Sequence, residues 1–201
     1  MKIILARHGE TPWNAAGRYQ GQIDIALSET GILQATKLGE RLRDVSITRA
    51  VSSQLSRAKT TAELALGEDR KAMLQIDERL QEIAEQDPIT FQAWRDAPQT
   101  VQMPGGESLQ QVLDRAWQGF AAACDGLGDD DTLLVVAHDA VNRVLLCKIL
   151  GLGLERLWSF RQAPTTINLL EGDSVDNLAL VRLNDCQHHT PLFGEALHRA
   201  L

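Results

Sequence analysis

The apolar residues of this chain occur in two patterns, which predict buried strands alternating with amphipathic helices. Six short segments are apolar throughout or alternate with period two, as strands do. They are 2–6, 49–52, 73–76, 132–138, 165–170 and 178–183. The first and fourth contain almost no polar residue, which is typical of strands covered on both faces of a sheet. The last two are expected to be joined by a turn at Gly172-Asp173.

Four other segments repeat apolar residues at helical spacing, and we expect helices over 27–44, 55–66, 108–127 and 139–150. In the first, Ser28 is placed to cap the helix, and the apolar positions are Ile32, Ala35, Leu38 and Leu42. The third helix begins with Ser108 and Gln111, which form the sequence pattern of a capping box. Residues 83–106 carry three prolines and a glycine pair, so this segment is interpreted as a lid-like insertion with room for one short helix.

The order of these elements predicts a three-layer α/β/α sandwich with a mainly parallel sheet, built as a single domain over 1–201. Ligands of such folds bind in the crevice beyond the carboxyl ends of the strands. His8 and His138 follow two of the predicted strands, and Ser52 and Ser53 follow a third, shortly before Arg57. The sequence therefore directs polar side chains to one edge of the sheet.

Composition narrows the classes of partner. The chain has 201 residues and a formal net charge of −7, which argues against a nucleic-acid-binding protein but permits a local arginine cluster to hold a phosphate. The three cysteines, Cys124, Cys147 and Cys186, form no CxxC pair and are expected to be unpaired. The first apolar run is too short for a signal-peptide core, and none approaches the ~20 residues of a membrane span. We expect a cytoplasmic protein with no membrane partner.

The polar residues at the sheet edge suit phosphoryl transfer. The guanidinium groups of Arg7 and Arg57 can each fork onto phosphate oxygens. One histidine can attack phosphorus, and the other can donate hydrogen bonds to the transferring group. A carboxylic acid must then protonate the leaving alcohol, and Glu82 is the candidate, with Glu85 as its competitor. Any one of these residues alone would more often be structural, so the prediction depends on their joint occurrence.

Several motifs together resemble the histidine phosphatase superfamily, the phosphoglycerate-mutase-like proteins, over nearly the whole chain. They are RHGETPWN at 7–14 with YQGQ at 19–22, LSETG at 27–31, SSQLSRAKTTAE at 52–63, DERLQE at 77–82, PGGES at 104–108 and VVAHDAVNRVLL at 135–146. The resemblance implies a phosphatase that forms a phosphohistidine and needs no cofactor or metal for the chemistry. It implies that His8 is the nucleophile and that Glu82 is the proton donor.

The same resemblance implies roles for further positions. Arg7, Arg57 and His138 complete the phosphate pocket, Asn14 is an additional phosphate ligand, Gln20 and Gly21 touch the substrate, and the backbone N–H of Asp139 faces phosphate. The segment after Glu82 lacks the GxWEG-like sequence that many relatives have. Asp139 stands where many have glycine, and its carboxylate is expected to disfavour substrates with a second phosphate.

Three other functions stay open on the sequence. A phosphoglycerate-type mutase is one, although 83–106 has few basic residues to bind the carboxylate of a phosphoglycerate. A non-catalytic phosphate-binding or interaction module on the same fold is another, and a phosphoprotein phosphatase with an open pocket is the third. The preferred partner is a small phosphate ester, and a homodimer is neither favoured nor opposed. The run DCQHH at 185–189 is expected to be a solvated loop, since no second ligand pair supports a metal site.

Overall fold

A computed structural model describes residues 1–84 and 91–189 of the chain. Within these ranges, six strands form one sheet with the order β3-β2-β4-β1-β5-β6. The strands are β1 (Lys2–Arg7), β2 (Arg49–Ser52), β3 (Leu74–Ile76), β4 (Thr132–Ala137), β5 (Ile167–Ser174) and β6 (Asn177–Asp185). Strands β1 to β4 are mutually parallel, whereas β5 and β6 run antiparallel at one edge. The predicted fold, a mainly parallel sheet with helices, is confirmed.

The helices of the described residues lie between these strands. They are α1 (Pro12–Ala15), α2 (Glu29–Arg41), α3 (Ser56–Leu66), α4 (Phe91–Asp96), α5 (Leu109–Cys124) and α6 (Asp139–Ile149). Short 3-10 segments occur at Lys71–Met73, Glu78–Leu80, Pro98–Thr100 and Leu154–Ser159. Ser28 accepts the Gly31 N–H at the start of α2, and Ser108 and Gln111 form the predicted capping box of α5. Gly67, with φ of 72°, ends α3.

Alternate side chains of the central strands enter two separate cores, which makes the sheet the middle layer. Ile3 and Leu5 of β1 pack into the core that contains α5 and α6, whereas Ile4 and Ala6 pack into the core that contains α2 and α3. Strand β4 divides its apolar side chains between the two cores in the same way. Because both faces of these strands are covered, the residues between their ends are apolar at every position.

The structure corrects two local predictions. The hairpin turn lies at 175–176 rather than at Gly172-Asp173, because Gly172 pairs with Leu178 inside the ladder. A Cβ at Gly172 would collide with the carbonyl of Asn177, so this glycine permits a close strand approach. On α2, Ile32 is 45% exposed, and the residues that face the core are Gly31, Ala35 and Leu38.

Part of the predicted lid-like insertion is described. It contains helix α4 and the 3-10 segment at Pro98–Thr100, while residues 85–90 lie outside the described ranges. Among the described residues, no helix combines the length and apolar character needed to cross a bilayer.

Candidate active site

A pocket that opens to solvent lies at the carboxyl ends of the central parallel strands. It is lined by Arg7, His8, Asn14, Arg18, Tyr19, Gln20, Gly21, Arg57, Glu82, Ile83, Trp94, Asp139, Ala140 and Trp158. Strand β1 ends at Arg7, opposite Ala137 at the end of β4, so the loops after the two strands begin side by side. Every predicted site residue except His138 therefore lines one pocket.

His8 is held in a single orientation by its own loop. Its Nδ1 lies 2.6 Å from the carbonyl oxygen of Gly9, and because a carbonyl only accepts, Nδ1 carries the proton. In the neutral ring, the lone pair is then on Nε2. The Gly9 N–H donates to Thr61 Oγ1 on α3 at 2.9 Å, which ties the loop to the helix of Arg57. A Cβ at Gly9 would stand 2.6 Å from the carbonyl oxygen of Gly31, so the close packing of this loop on α2 needs glycine.

The guanidinium groups of Arg7 and Arg57 are almost completely buried and fixed by backbone carbonyls. Arg7 Nη1 donates to Gln162 at 2.5 Å, and Arg57 donates from Nη2 to Gly21 at 2.7 Å and from Nη1 to Ile23 at 2.8 Å. Burial lowers the pKa of both arginines, and Arg7 lowers that of Arg57 further. Two buried cations in one pocket make it strongly electropositive.

His138 lies beside His8 but does not line the pocket. It is fully buried, and its ring centroid is 5.1 Å from that of His8. Burial, with the positive charge of Arg57 nearby, holds its pKa well below the usual value, so the ring is neutral at pH 7. A neutral imidazole retains one N–H donor.

Buried polar atoms without partners converge on this pocket. Among the described residues, no hydrogen-bond partner is present for Nε of Arg7, Nε of Arg57 or either ring nitrogen of His138. Buried donors are nearly always satisfied in folded proteins, so a cluster of unsatisfied donors indicates a place for a ligand. Helix α6 also begins here, with Asp139 and Ala140 in its first turn lining the pocket. The arrangement suits an anion with several oxygens, such as a phosphoryl group.

The remaining substrate-binding candidates lie on the loop around α1. Thr11 and Asn14 form a capping box in which Asn14 Oδ1 accepts the Thr11 N–H, so the amide nitrogen of Asn14 is the end available to an anion. The side chain of Gln20 accepts from Thr11 Oγ1 at 2.8 Å. Gly21 has φ of 48°, which favours glycine, and this conformation directs its carbonyl to Arg57.

Glu82, the candidate acid, lies in the pocket. Its carboxylate lines the pocket, and Oε1 accepts the Ile83 N–H at 2.9 Å. Burial raises the pKa of Glu82, and Asp139 raises it further, while the Ile83 N–H and the two buried arginines act in the opposite direction. A raised pKa keeps the carboxyl protonated to higher pH, as a proton donor requires. Glu85, the competing candidate, lies outside the described residues.

Asp139 does face the pocket, but a cation compensates its charge. Its Oδ1 lies 2.9 Å from Nε of Arg143 and 4.0 Å from Nη1 of Arg7. Arg143 is itself buried and donates to the carbonyls of Leu157 and Phe160. The Asp139–Arg143 pair thus fixes the carboxylate at the pocket wall.

Sequence reasoning missed several contributors to the site. Trp94 and Trp158 form one wall, with ring centroids 5.8 Å apart and the Trp158 indole N–H donating to the Trp94 carbonyl. Arg18, stacked on Trp13 at 4.1 Å, adds a cation at the exposed side. No sequence motif predicted these residues. Thr61, in contrast, was detectable as a polar residue on the buried face of α3.

Two predicted polar groups have other roles. Ser52 and Ser53 are fully buried but do not line the pocket, and Ser53 Oγ accepts the Leu55 N–H at the start of α3. The DCQHH run is not the solvated loop that the sequence predicted. Asp185 forms a bidentate pair with Arg41 at 2.9 and 2.5 Å, and His188 Nε2 lies 3.2 Å from Thr165 Oγ1. Within the described residues, no group of three or more His, Cys, Asp or Glu side chains is arranged to hold a metal ion.

Comparison with known proteins agrees with this geometry. A family model described as the histidine phosphatase superfamily (branch 1) matches residues 3–186. Phosphoserine phosphatase 1 of Hydrogenobacter thermophilus is 34% identical, with both chains covered completely. A protein of Erwinia tasmaniensis named "Probable phosphoglycerate mutase GpmB" is 36% identical over 76% of each chain. The solved structure of Bacillus stearothermophilus YhfR superposes with a TM-score of 0.81 at 30% identity, covering 93% of this chain and 98% of that one.

Proposed function

Since the chain belongs to the histidine phosphatase superfamily, we propose that it is a metal-independent phosphomonoesterase acting on a small phosphorylated metabolite through a phosphohistidine. The observation that carries the proposal is that buried donors of Arg7, Arg57 and His138 have no partner, in or directly beside the pocket that also holds His8 and Glu82. Such a set of donors neutralises and orients a phosphoryl group, which is most of what catalysis of phosphoryl transfer requires.

In the first step, Nε2 of His8 attacks phosphorus, and the bond between phosphorus and the ester oxygen breaks. The Gly9 carbonyl, bound to Nδ1–H, stabilises the positive charge that develops on the ring. Arg7 and Arg57 hold the non-bridging oxygens, with His138 and Asn14 as further donors. Glu82 transfers its proton to the leaving oxygen, so the product departs as a neutral alcohol.

In the second step, the now ionised Glu82 accepts a proton from water as the water oxygen attacks the phosphohistidine. The bond between phosphorus and Nε2 breaks, inorganic phosphate forms, and both His8 and Glu82 return to their starting states. One carboxyl group thus serves as acid and then as base, which the opposing influences on its pKa support.

The residues that line the pocket support a small substrate. Beyond the phosphate end, Trp94 and Trp158 with Ile83 form an apolar wall, and Gln20 and Gly21 lie on the loop around α1. Relatives are named for phosphoserine and phosphoglycerate, so small phosphorylated acids are the first esters to test. The net charge of −7 supports a small-molecule partner rather than nucleic acid. The cytoplasmic location and the choice between monomer and homodimer stay predictions of the sequence.

A phosphoglycerate-type mutase is the second candidate, because one relative carries that name. A mutase would pass the phosphoryl group from His8 to a second hydroxyl instead of to water. We expect Asp139 to disfavour a bisphosphate, because its carboxylate lines the pocket that a second anionic group would enter.

The test is hydrolysis of an aryl phosphate and of phosphoserine in excess chelator by the wild type and by His8→Ala. We expect release of inorganic phosphate by the wild type alone. Transfer of the phosphoryl group to a second hydroxyl would instead establish the mutase. Absence of turnover by the wild type would favour the non-catalytic module, and equal turnover by both proteins would remove His8 as the nucleophile.

A further inference from the structure

The segment that carries Glu82 is held by side chains rather than by a β-ladder. It follows the 3-10 turn at Glu78–Leu80. Few of its described backbone hydrogen bonds are formed with helices or strands. Most of its hydrogen bonds to other parts of the chain are formed with Glu107 and Arg115, while Gln22 Nε2 also donates to the Glu82 carbonyl at 3.0 Å. Arg115 lies on α5, and Glu107 lies immediately before the Ser108 cap of that helix.

Every N–H of the Arg115 guanidinium has a partner. Nε and Nη2 donate to the two carboxylate oxygens of Glu107 at 2.6 and 2.7 Å. Nη1 donates to the carbonyls of Arg79 and Gln81 at 2.8 and 2.7 Å, and Nη2 also donates to the carbonyl of Glu82 at 3.1 Å. The planar fork of arginine is therefore used in full, and it fixes three carbonyls of the acid-bearing segment.

Glu107 holds the other end of the same segment. Its Oε2 accepts the Ala84 N–H at 2.9 Å, and its own N–H donates to the Ala84 carbonyl at 3.1 Å. A Cβ at Gly106 would collide with that carbonyl, so the turn before α5 packs directly on the acid-bearing segment. Burial alone would raise the pKa of Glu107, but the hydrogen bonds from Arg115 and Ala84 keep it below its usual value, so the carboxylate stays ionised.

We propose that the Glu107–Arg115 pair, called here the acid clamp, positions Glu82 for proton transfer to the leaving alcohol. The inference rests on the proposed function, and it concerns positioning, because neither residue lines the pocket. The side chains of Arg115 and Glu107 are 18% and 20% exposed, respectively, so the acid clamp lies at the edge of the core rather than free in solvent. A displacement of about 1 Å in a catalytic group can cost up to about 10²-fold in rate.

Leaving-group dependence distinguishes positioning of the acid from general damage. Departure of an alkoxide needs a proton, whereas 2,4-dinitrophenolate leaves without one. The value of kcat/KM reports steps up to formation of the phosphohistidine, so the later action of Glu82 as a base does not enter it. Loss of the clamp should slow alkyl esters and spare the activated aryl ester.

The experiment compares kcat/KM for an alkyl phosphate and for 2,4-dinitrophenyl phosphate in the wild type, Glu107→Gln, Arg115→Lys and Glu82→Gln. We expect Glu107→Gln and Arg115→Lys to lose about 10- to 100-fold on the alkyl ester and less than about 3-fold on the aryl ester. Adding Glu107→Gln to Glu82→Gln should cause no further loss, because the group that the clamp positions is already absent. The control Arg79→Gln removes an exposed arginine of the same region, whose guanidinium pairs with Asp77, and should match the wild type.

The outcomes separate the two proposals. Turnover of both esters by the wild type, with equal losses on both in the clamp variants, would overturn the clamp and leave the phosphatase intact. Unchanged kcat/KM for the alkyl ester in both clamp variants would also overturn the clamp and leave the phosphatase intact. No turnover of either ester by the wild type would overturn the proposed function and the clamp with it. Glu107→Gln keeps the size of the side chain, and its fold is checked by circular dichroism before the kinetics.

Discussion

Replacing Arg57 by lysine is expected to reduce phosphate recognition while keeping the positive charge. In the wild type, the Arg57 guanidinium is 1% exposed, and two of its nitrogens donate to the carbonyls of Gly21 and Ile23. Its Nε has no partner among the described residues and is the donor that a phosphoryl oxygen would satisfy. A lysine ammonium is a single point and cannot serve both carbonyls and the substrate.

The size of the effect follows from the bonds that are lost. A hydrogen bond to a charged group is worth about 1.5–3 kcal/mol. Loss of one such bond in the transition state lowers kcat/KM by about 10- to 150-fold, because each 1.4 kcal/mol corresponds to about tenfold. Arg57→Met also removes the charge and loses two such bonds, so its kcat/KM should fall by about 10²- to 10⁴-fold.

The assay is steady-state hydrolysis of an aryl phosphate, together with thermal unfolding with and without inorganic phosphate. Phosphate should raise the Tm of the wild type by mass action and should have much less effect on Arg57→Met. Arg49→Lys is the matched control, because Arg49 also donates to two carbonyls, those of Ala123 and Asp125, and does not line the pocket. Arg57→Lys with the kcat/KM and the phosphate response of the wild type would refute the reasoning.

Three further results are expected. The value of kcat/KM for an alkyl phosphate should fall as pH rises through the raised pKa of Glu82, and a pH profile of Glu82→Gln that kept this decline would contradict the assignment. Asp139→Asn should raise turnover of a bisphosphate relative to a monophosphate by about 5-fold, the effect of removing about 1 kcal/mol of like-charge repulsion; an unchanged ratio would remove Asp139 as a selectivity residue. Arg41 lowers the pKa of Asp185 to about 2, so the pair stabilises the fold above about pH 4 and loses this contribution as pH falls towards 2. The free energy of unfolding of Arg41→Gln, measured with urea, should therefore be below that of the wild type at pH 7, and a gap that stays constant down to pH 3 would show that the pair does not contribute.

The strands and helices could be predicted where one local rule dominates. The apolar runs of β1 and β4 are typical of strands covered on both faces of a sheet, and the capping box before α5 is formed by neighbours in the sequence. Prediction failed where pairing between two strands decides the conformation. Glycine is a common turn residue, but Gly172 lies in a strand and pairs with Leu178. Glycine is needed there because the carbonyl of Asn177 approaches too closely for a side chain.

The phosphate end of the site was predictable because its motifs are short and dense. Arg7 and His8 are adjacent at the end of β1, and His138 directly follows β4, whose carboxyl end lies beside that of β1. The part of the pocket beyond the phosphate end could not be predicted. Trp94 and Trp158 come from segments with no recognisable sequence pattern, and they meet only through packing.

The sequence by itself determined which strands and longer helices follow one another along the chain and at which edge of the sheet the pocket lies, and it supplied the prediction of the phosphate-binding and attacking groups. Only the tertiary structure decided which way Nδ1 of His8 is turned, that His138 lies behind the pocket lining, and how Glu82 is held. The reason is physical. Periodicity and motifs report on interactions within a few residues, whereas burial and the backbone carbonyls that fix Arg57 and Arg115 come from segments distant in the chain.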